Sequence, residues 1–189
     1  MRPVVTFPTS DHQHERCVDA ILADAQRLCE LRQVRLTTQR RRVLEIVASS
    51  HAAIGAYDIM DRLATSGRRP APITVYRALD FLIDQGFVHR LASLNAYVAC
   101  VHARAEHGAQ FLICRDCGTI GELTSPAVDH AIAEAASSAG FVAALPVVEV
   151  SGVCVHCRSG LPQPGVGDID VADVASDVDG GGTSAGGPR

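Results

Sequence analysis

The chain has 189 residues, 47% of them hydrophobic but only 4% aromatic and none of them tryptophan; that excludes a wholly disordered chain and suits one medium domain or two small ones. No run approaches the roughly 18 uninterrupted apolar residues of a membrane-spanning helix. The apolar run in Met1–Pro8 is too short for a signal peptide, so a cytoplasmic protein is the expectation. The formal net charge of −4 is unevenly placed: residues 27–90 hold eleven arginines against six carboxylates, whereas residues 161–189 hold five aspartates and one arginine. A basic segment inside an acidic chain points to nucleic acid, because neutralising phosphates releases counterions. All 17 basic residues are arginine, which a GC-rich coding sequence produces without any functional demand.

Residues 1–17 are polar and irregular and are expected to form a flexible N-terminus, with Asp11-His12-Gln13-His14 as their single feature. The spacing of Ile21, Leu22, Ala25 and Leu28 predicts a helix over 18–31, with Cys29 packed on it as a small hydrophobe and Cys17 at its start. A second helix, 37–49, opens with Thr37 as N-cap ahead of Val43, Leu44, Ile46 and Val47. A third, 56–65, sets Tyr57, Met60, Leu63 and Ala64 on one side, and the loop Ser66–Pro72 follows it. The fourth, 73–85, is closed by Gly86. Tyr76, Leu79, Leu82 and Ile83 form its apolar face, which makes Tyr76 a core residue, while Thr74, Arg77 and Asp84 lie opposite.

After Gly86 the hydrophobic period changes to two. Phe87–Leu91 and Tyr97–Cys100 read as strands joined by the turn Ala92–Ala96, a hairpin. Three helices followed by a hairpin is the order of a winged helix, whose last helix enters the major groove of DNA while the hairpin lies along the backbone. A second unit starts near residue 101. Ala109–Cys114 and Thr119–Leu123 read as strands, Pro126 suits the first turn of a helix over 127–138 that Gly140 ends, and Phe141–Val150 reads as another strand. From Leu161 onward the Gly, Asp, Ser and Pro content cannot sustain a core, so residues 161–189 are expected to be a disordered acidic tail. The fold class is α/β, of the α+β kind: a winged-helix DNA-binding domain over 18–100 and a small α/β domain over 101–160.

Seven cysteines, an odd number without an export signal, argue against a disulfide framework and for metal or redox chemistry. Cys114-Arg-Asp-Cys117 and Cys154-Val-His-Cys157 form a matched pair of knuckles. Each supplies half a tetrahedron of thiolates at about 2.3 Å from zinc, and four thiolates leave no open position, so this zinc is structural. Asp116 and His156 sit inside the knuckles as bystanders. A looser set comprises His89, Cys100, His102, Glu106, His107 and Glu122. Because His89 and Cys100 belong to the hairpin while His107 and Glu122 belong to the second unit, a metal held among them clamps the two at one angle and can act as a conformational signal.

Thr37-Thr-Gln-Arg40, Thr74-Val-Tyr-Arg-Ala-Leu79, Gln85-Gly-Phe-Val-His89, Asn95-Ala-Tyr-Val-Ala-Cys100 and the two knuckles resemble the ferric uptake regulator family, and are most similar to its zinc uptake branch. The resemblance covers residues 20–158. It implies a homodimeric repressor, with 101–160 as the dimerisation domain, that needs zinc to bind inverted-repeat operators of zinc-uptake and zinc-homeostasis genes. It implies two zinc ions per subunit: a structural one on Cys114, Cys117, Cys154 and Cys157, and a regulatory one on His89, Cys100, His107 and Glu122, with His102 as the alternative to His107. From the same resemblance, Arg77 reaches a base or phosphate, Tyr57 contacts DNA from the preceding helix, Thr74 and Tyr76 are alternatives, and Arg40 and Arg69 meet phosphates.

Two departures stand out. Only His107-Gly-Ala-Gln-Phe-Leu-Ile113 precedes the first knuckle where iron and peroxide sensors of the family carry a His-rich run, and the thiolate-containing set suits tetrahedral zinc better than octahedral iron. Thr38 stands where the family has proline. Three other readings stay open. An iron or peroxide sensor is separated by the metal in the mixed site and by oxidation of His89 or His107. A zinc enzyme needs an open coordination position and a general base such as Glu106 or Glu122, yet neither knuckle follows the proline of the deaminase signature. A zinc-stabilised interaction module without DNA binding is separated by neutralising Arg77.

Overall fold

A computed structural model describes residues 4–6, 14–65, 70–100, 103, 109–143 and 146–160. Most of the expected N-terminal arm, the tail 161–189 and the sites at Arg69, His102, Glu106 and His107 lie outside these residues.

Helix α1 (His14–Leu31) buries Leu22, Ala25 and Cys29, one stripe at helical spacing. Helix α2 (Thr38–Ala48) starts where the Thr37 hydroxyl accepts the Arg40 N–H at 3.3 Å, so the expected N-cap forms and Thr38 takes the first helical position. Strand β2 (Ile54–Gly55) leads into α3 (Ala56–Thr65). Helix α4 (Pro72–Asp84) uses Pro72 at its start, where a missing N–H costs nothing, and buries Val75, Ala78, Leu79 and Leu82. Gly86, at φ +71°, then reverses the chain into the hairpin of β3 (Val88–Leu91) and β4 (Ala96–Ala99). These strands join β2 in a three-stranded sheet of order β2-β4-β3. Side chains of all four helices and the hairpin share one core, centred on Leu44, Ile59, Leu79 and Phe87.

The second unit is a four-stranded sheet of order β1-β6-β5-β7, built from β1 (Val4–Thr6), β5 (Ala109–Cys114), β6 (Ile120–Thr124) and β7 (Val147–Gly152). Strand β7 runs parallel to β5, and the other pairs are antiparallel. The parallel pairing needs a crossover, which α5 (Pro126–Ser138) supplies. The short α6 (Val155–Ser159) follows β7 and carries the second knuckle.

A small apolar cluster joins the two units: Leu91 and Val98 of the hairpin meet Phe111, Ile113 and Ile120 of the second sheet. Each such side chain, fully buried, contributes about 1.5–3 kcal/mol. Beside it, the Ile120 N–H donates to the His51 carbonyl at 2.9 Å and Ala52 bridges Thr119. The mutual angle of the units is therefore set by packing as well as by any metal.

Five expectations need correction. Val4–Thr6 is not irregular but pairs with β6, and helix α1 begins at His14 rather than residue 18. The last strand is Val147–Gly152 and not Phe141–Val150; it begins after Pro146, which has no N–H to give a ladder. Tyr76 is 38% exposed, its place in the α4 core being taken by Val75. Tyr57, grouped with Met60 and Leu63 by helical spacing, is 70% exposed, while Ile59 is the buried neighbour.

Candidate metal centres and nucleic-acid interface

The first knuckle is the turn between β5 and β6, and the second is the turn from β7 into α6. Because β7 lies beside β5, with Cys114 opposite Gly152, the two turns meet. The sulfurs of Cys114 and Cys157 are 3.8 Å apart, as are those of Cys117 and Cys154, and all four lie within 4.8 Å of one another. A tetrahedron with Zn–S bonds of about 2.3 Å has edges of about 3.8 Å, so the cage fits zinc. Burial alone pushes the Cys114 thiol up, but backbone N–H groups of Cys154, Cys117 and Asp116 outweigh it and bring it down to about 6. Desolvation raises Cys117. It also raises Cys157 well above the ordinary thiol range, and the sulfurs crowded beside it add to the effect. One thiol is thus prepared as a thiolate while two resist ionisation until a cation arrives.

The mixed site gathers three of its expected ligands. His89 on β3, Cys100 just beyond β4 and Glu122 on β6 bring their ligand atoms within 4.8 Å of one another. Cys100 is fixed by its own N–H, which donates to the Phe87 carbonyl at 2.9 Å. The His89 ring stands edge-on against Phe111, centroids 5.1 Å apart, and Phe111 is the cross-strand neighbour of Glu122. Cys100 and Glu122 are both buried, and Glu122 is only 8% exposed. Imidazole, thiolate and carboxylate together form a donor set suited to zinc. The fourth expected ligand, His107, and its alternative His102 lie outside the described residues.

On α4, Thr74 and Arg77 are exposed, as Tyr57 is on α3. These side chains are available to a partner and are not needed by the core. Arg40 is engaged within the molecule: its guanidinium lies 3.5 Å over the Phe81 ring and donates to the Arg35 carbonyl at 2.6 Å. Arg69 is outside the described residues.

Sequence reasoning missed the contacts between the units, among them a carboxylate one. Glu149 on β7 accepts the Ala92 N–H at 2.7 Å and the Ser93 N–H at 3.1 Å, and the Ser93 hydroxyl donates to it as well. Burial alone raises its carboxyl, but these three donors hold it below the ordinary range. No local pattern announces a contact across more than 50 residues. The half-buried pair His14 and His51, with ring nitrogens 3.0 Å apart, was missed for the same reason.

The sequence profile of the ferric uptake regulator family matches residues 31–150. The zinc uptake regulation protein of Escherichia coli (strain K12) is 40% identical over 138 residues, which is 72% of this chain and 81% of that protein. A solved zinc uptake regulator complexed with zinc and DNA has a TM-score of 0.72 and 38% identity, covering 76% of this chain and 96% of that one. The holo form of XcZur gives a TM-score of 0.69 at 38% identity, over 75% of this chain and 99% of that one. With its winged helix, paired cysteine knuckles and clustered His89, Cys100 and Glu122, the chain belongs to the zinc uptake branch of the ferric uptake regulator family.

Proposed function

We propose that this protein is a zinc-responsive transcriptional repressor that binds inverted-repeat operators of zinc-uptake genes as a homodimer. The observation that carries the reading is the position of the mixed site: two ligands come from the hairpin that follows the recognition helix, and one comes from the second sheet. A metal bound there has different contacts in any other arrangement of the two units, so it favours this one. The similarity to a regulator solved with zinc and DNA supports the identity of both ligands.

In this mechanism the four cysteines hold a permanent zinc that keeps the second unit folded. His89, Cys100, Glu122 and His107 hold the second, regulatory ion of each subunit; His102 is the alternative to His107. Filling that site fixes α4 relative to the dimer, so two recognition helices meet two half-sites together. Arg77 and Thr74 present donors to bases or phosphates, Tyr57 adds a contact from α3, and Arg69 meets a phosphate, as Arg40 does on leaving the Phe81 ring and Arg35 carbonyl that hold it. The work is binding, done in the cytoplasm where the DNA is, and no catalytic step is involved. The proposed domain limits are 18–100 for DNA binding and 101–160 for dimerisation, the first extended to His14, where α1 begins, and the second joined by Val4–Thr6.

The dimer rests on apolar surface that the subunit leaves open. Strand β7 is a sheet edge with Val147 and Val150 exposed, and Phe141, Val142, Val153 and Val155, which flank it in sequence, are exposed too. An open apolar edge invites pairing with a second copy.

Cys100→Ser tests the regulatory site. The expected outcome is one zinc per chain by elemental analysis instead of two, with operator binding that no longer responds to free zinc. Two zinc ions per chain with an unchanged response would remove Cys100 from the site.

A further inference from the structure

Across the second sheet, Glu122, Phe111 and Glu149 stand in one row: Phe111 is in register with Glu122 on β6 and with Glu149 on β7. Residues in register on adjacent strands share a face, and three strands span about 10 Å. All three face the hairpin. Glu122 meets His89 and Cys100 at its base, Phe111 meets the His89 ring, and Glu149 takes the Ala92 and Ser93 donors of its turn.

The apolar contacts of Leu91 and Val98 hold the hairpin against the second sheet, and a directed bond at its turn, about 10 Å from the metal site, further limits how it can swivel. The hairpin is continuous with α4 through Gly86 and Phe87, so its angle is the angle of the recognition helix. We propose that Glu149 is a positioning residue for DNA recognition, an attachment point at the hairpin's turn that, together with the apolar contacts of Leu91 and Val98, turns metal binding at the hairpin base into one fixed orientation of α4. This rests on the zinc-sensor reading above and assigns to Glu149 a role separate from metal ligation. The carboxylate suits it chemically. It is acceptor-only and takes a bond on each oxygen from two adjacent backbone N–H groups, as an anion does at a turn of successive amides. The depressed carboxyl of Glu149 agrees with this.

The latch also gives the wing a distinct use. Its turn residues face the second sheet through Ala92 and Ser93, while Arg90, bonded to Asn95 at 3.0 Å, remains exposed. The hairpin is therefore a bracket between the two units before it is a DNA contact.

The test uses the full-length zinc-loaded protein and Glu149→Ala, with Glu149→Gln as the milder variant that keeps one acceptor oxygen. Amide hydrogen exchange at Ala92 and Ser93 reads the latch directly. The expected result is exchange at least tenfold faster in Glu149→Ala, with Glu149→Gln between it and wild type. Operator affinity, measured by anisotropy at saturating zinc on a duplex selected from a random pool by the wild-type protein, is expected to fall about tenfold in Glu149→Ala. The zinc content and the thiolate-to-cobalt absorption of the cobalt-substituted mixed site should stay as in wild type, which a general loss of structure would not allow. Unchanged exchange at Ala92 and Ser93 would overturn the latch, and faster exchange with wild-type operator affinity would overturn its positioning role. If wild-type DNA binding ignores zinc, the sensor reading fails on its own while the exchange measurement still decides the latch.

Discussion

At the scale of the residue, the four cysteines show how one cage combines ready and reluctant ligands. Cys114 is held at about 6 by backbone N–H groups despite its burial, whereas Cys117 and Cys157 are raised by desolvation. Near neutral pH, zinc uptake by the cage should therefore release protons from Cys117 and Cys157, and affinity should fall as pH falls. Structural zinc sites carry an apparent binding free energy on the order of 10 kcal/mol, comparable with the whole stability of a domain. Cys117→Ser is accordingly expected to lose the structural zinc and unfold the second unit, read as zinc per chain and as loss of the cooperative melt. A stable, folded variant would contradict the structural assignment. The knuckles were legible in the sequence because their spacing is local and thiolate chemistry is restrictive. Tyr57 and Tyr76 were not, because helical spacing groups residues by angle and cannot place the edge of a buried stripe. One step around α4, Val75 takes the core position and Tyr76 is left half exposed.

At the scale of the element, α4 separates its duties by face. Val75, Ala78, Leu79 and Leu82 anchor it, while Thr74 and Arg77 are exposed. Arg77→Ala should therefore weaken operator binding by about 1–3 kcal/mol, on the order of 5- to 150-fold, without moving the melting temperature. A variant that melts earlier but binds normally would place Arg77 in the core instead. The four helices and the hairpin were legible because amphipathic spacing, the Thr37 cap and Gly86 all agree. The strands of the second unit were less so. Val4–Thr6 is too short for a period to show, and the apolar run from Phe141 hides the point where Pro146 delays the ladder. The approach of His89 and Cys100 to Glu122 rested on resemblance more than on spacing, and the Glu149 contact had no sequence signal, because both depend on how two sheets face one another.

At the scale of the whole molecule, the two units are joined by an apolar cluster, a carboxylate contact and a shared donor set for metal. To move the DNA-competent fraction from 1% to 99%, zinc must favour that state by about 5.5 kcal/mol. A metal ligated from both sides of the joint can supply energy of this order, while the apolar cluster contributes to the zinc-free starting population. The dimer belongs to this scale as well. Val150→Asp on the open edge of β7 should convert the dimer to monomers in sedimentation and keep the zinc on the cysteines; a persistent dimer would place the interface elsewhere. The central claim is that zinc in the mixed site selects the DNA-binding arrangement, and operator anisotropy against buffered free zinc, with the four-cysteine zinc kept in place, tests it most directly. The account predicts a steep rise in affinity over a narrow range of free zinc, and equal affinity across that range would contradict it.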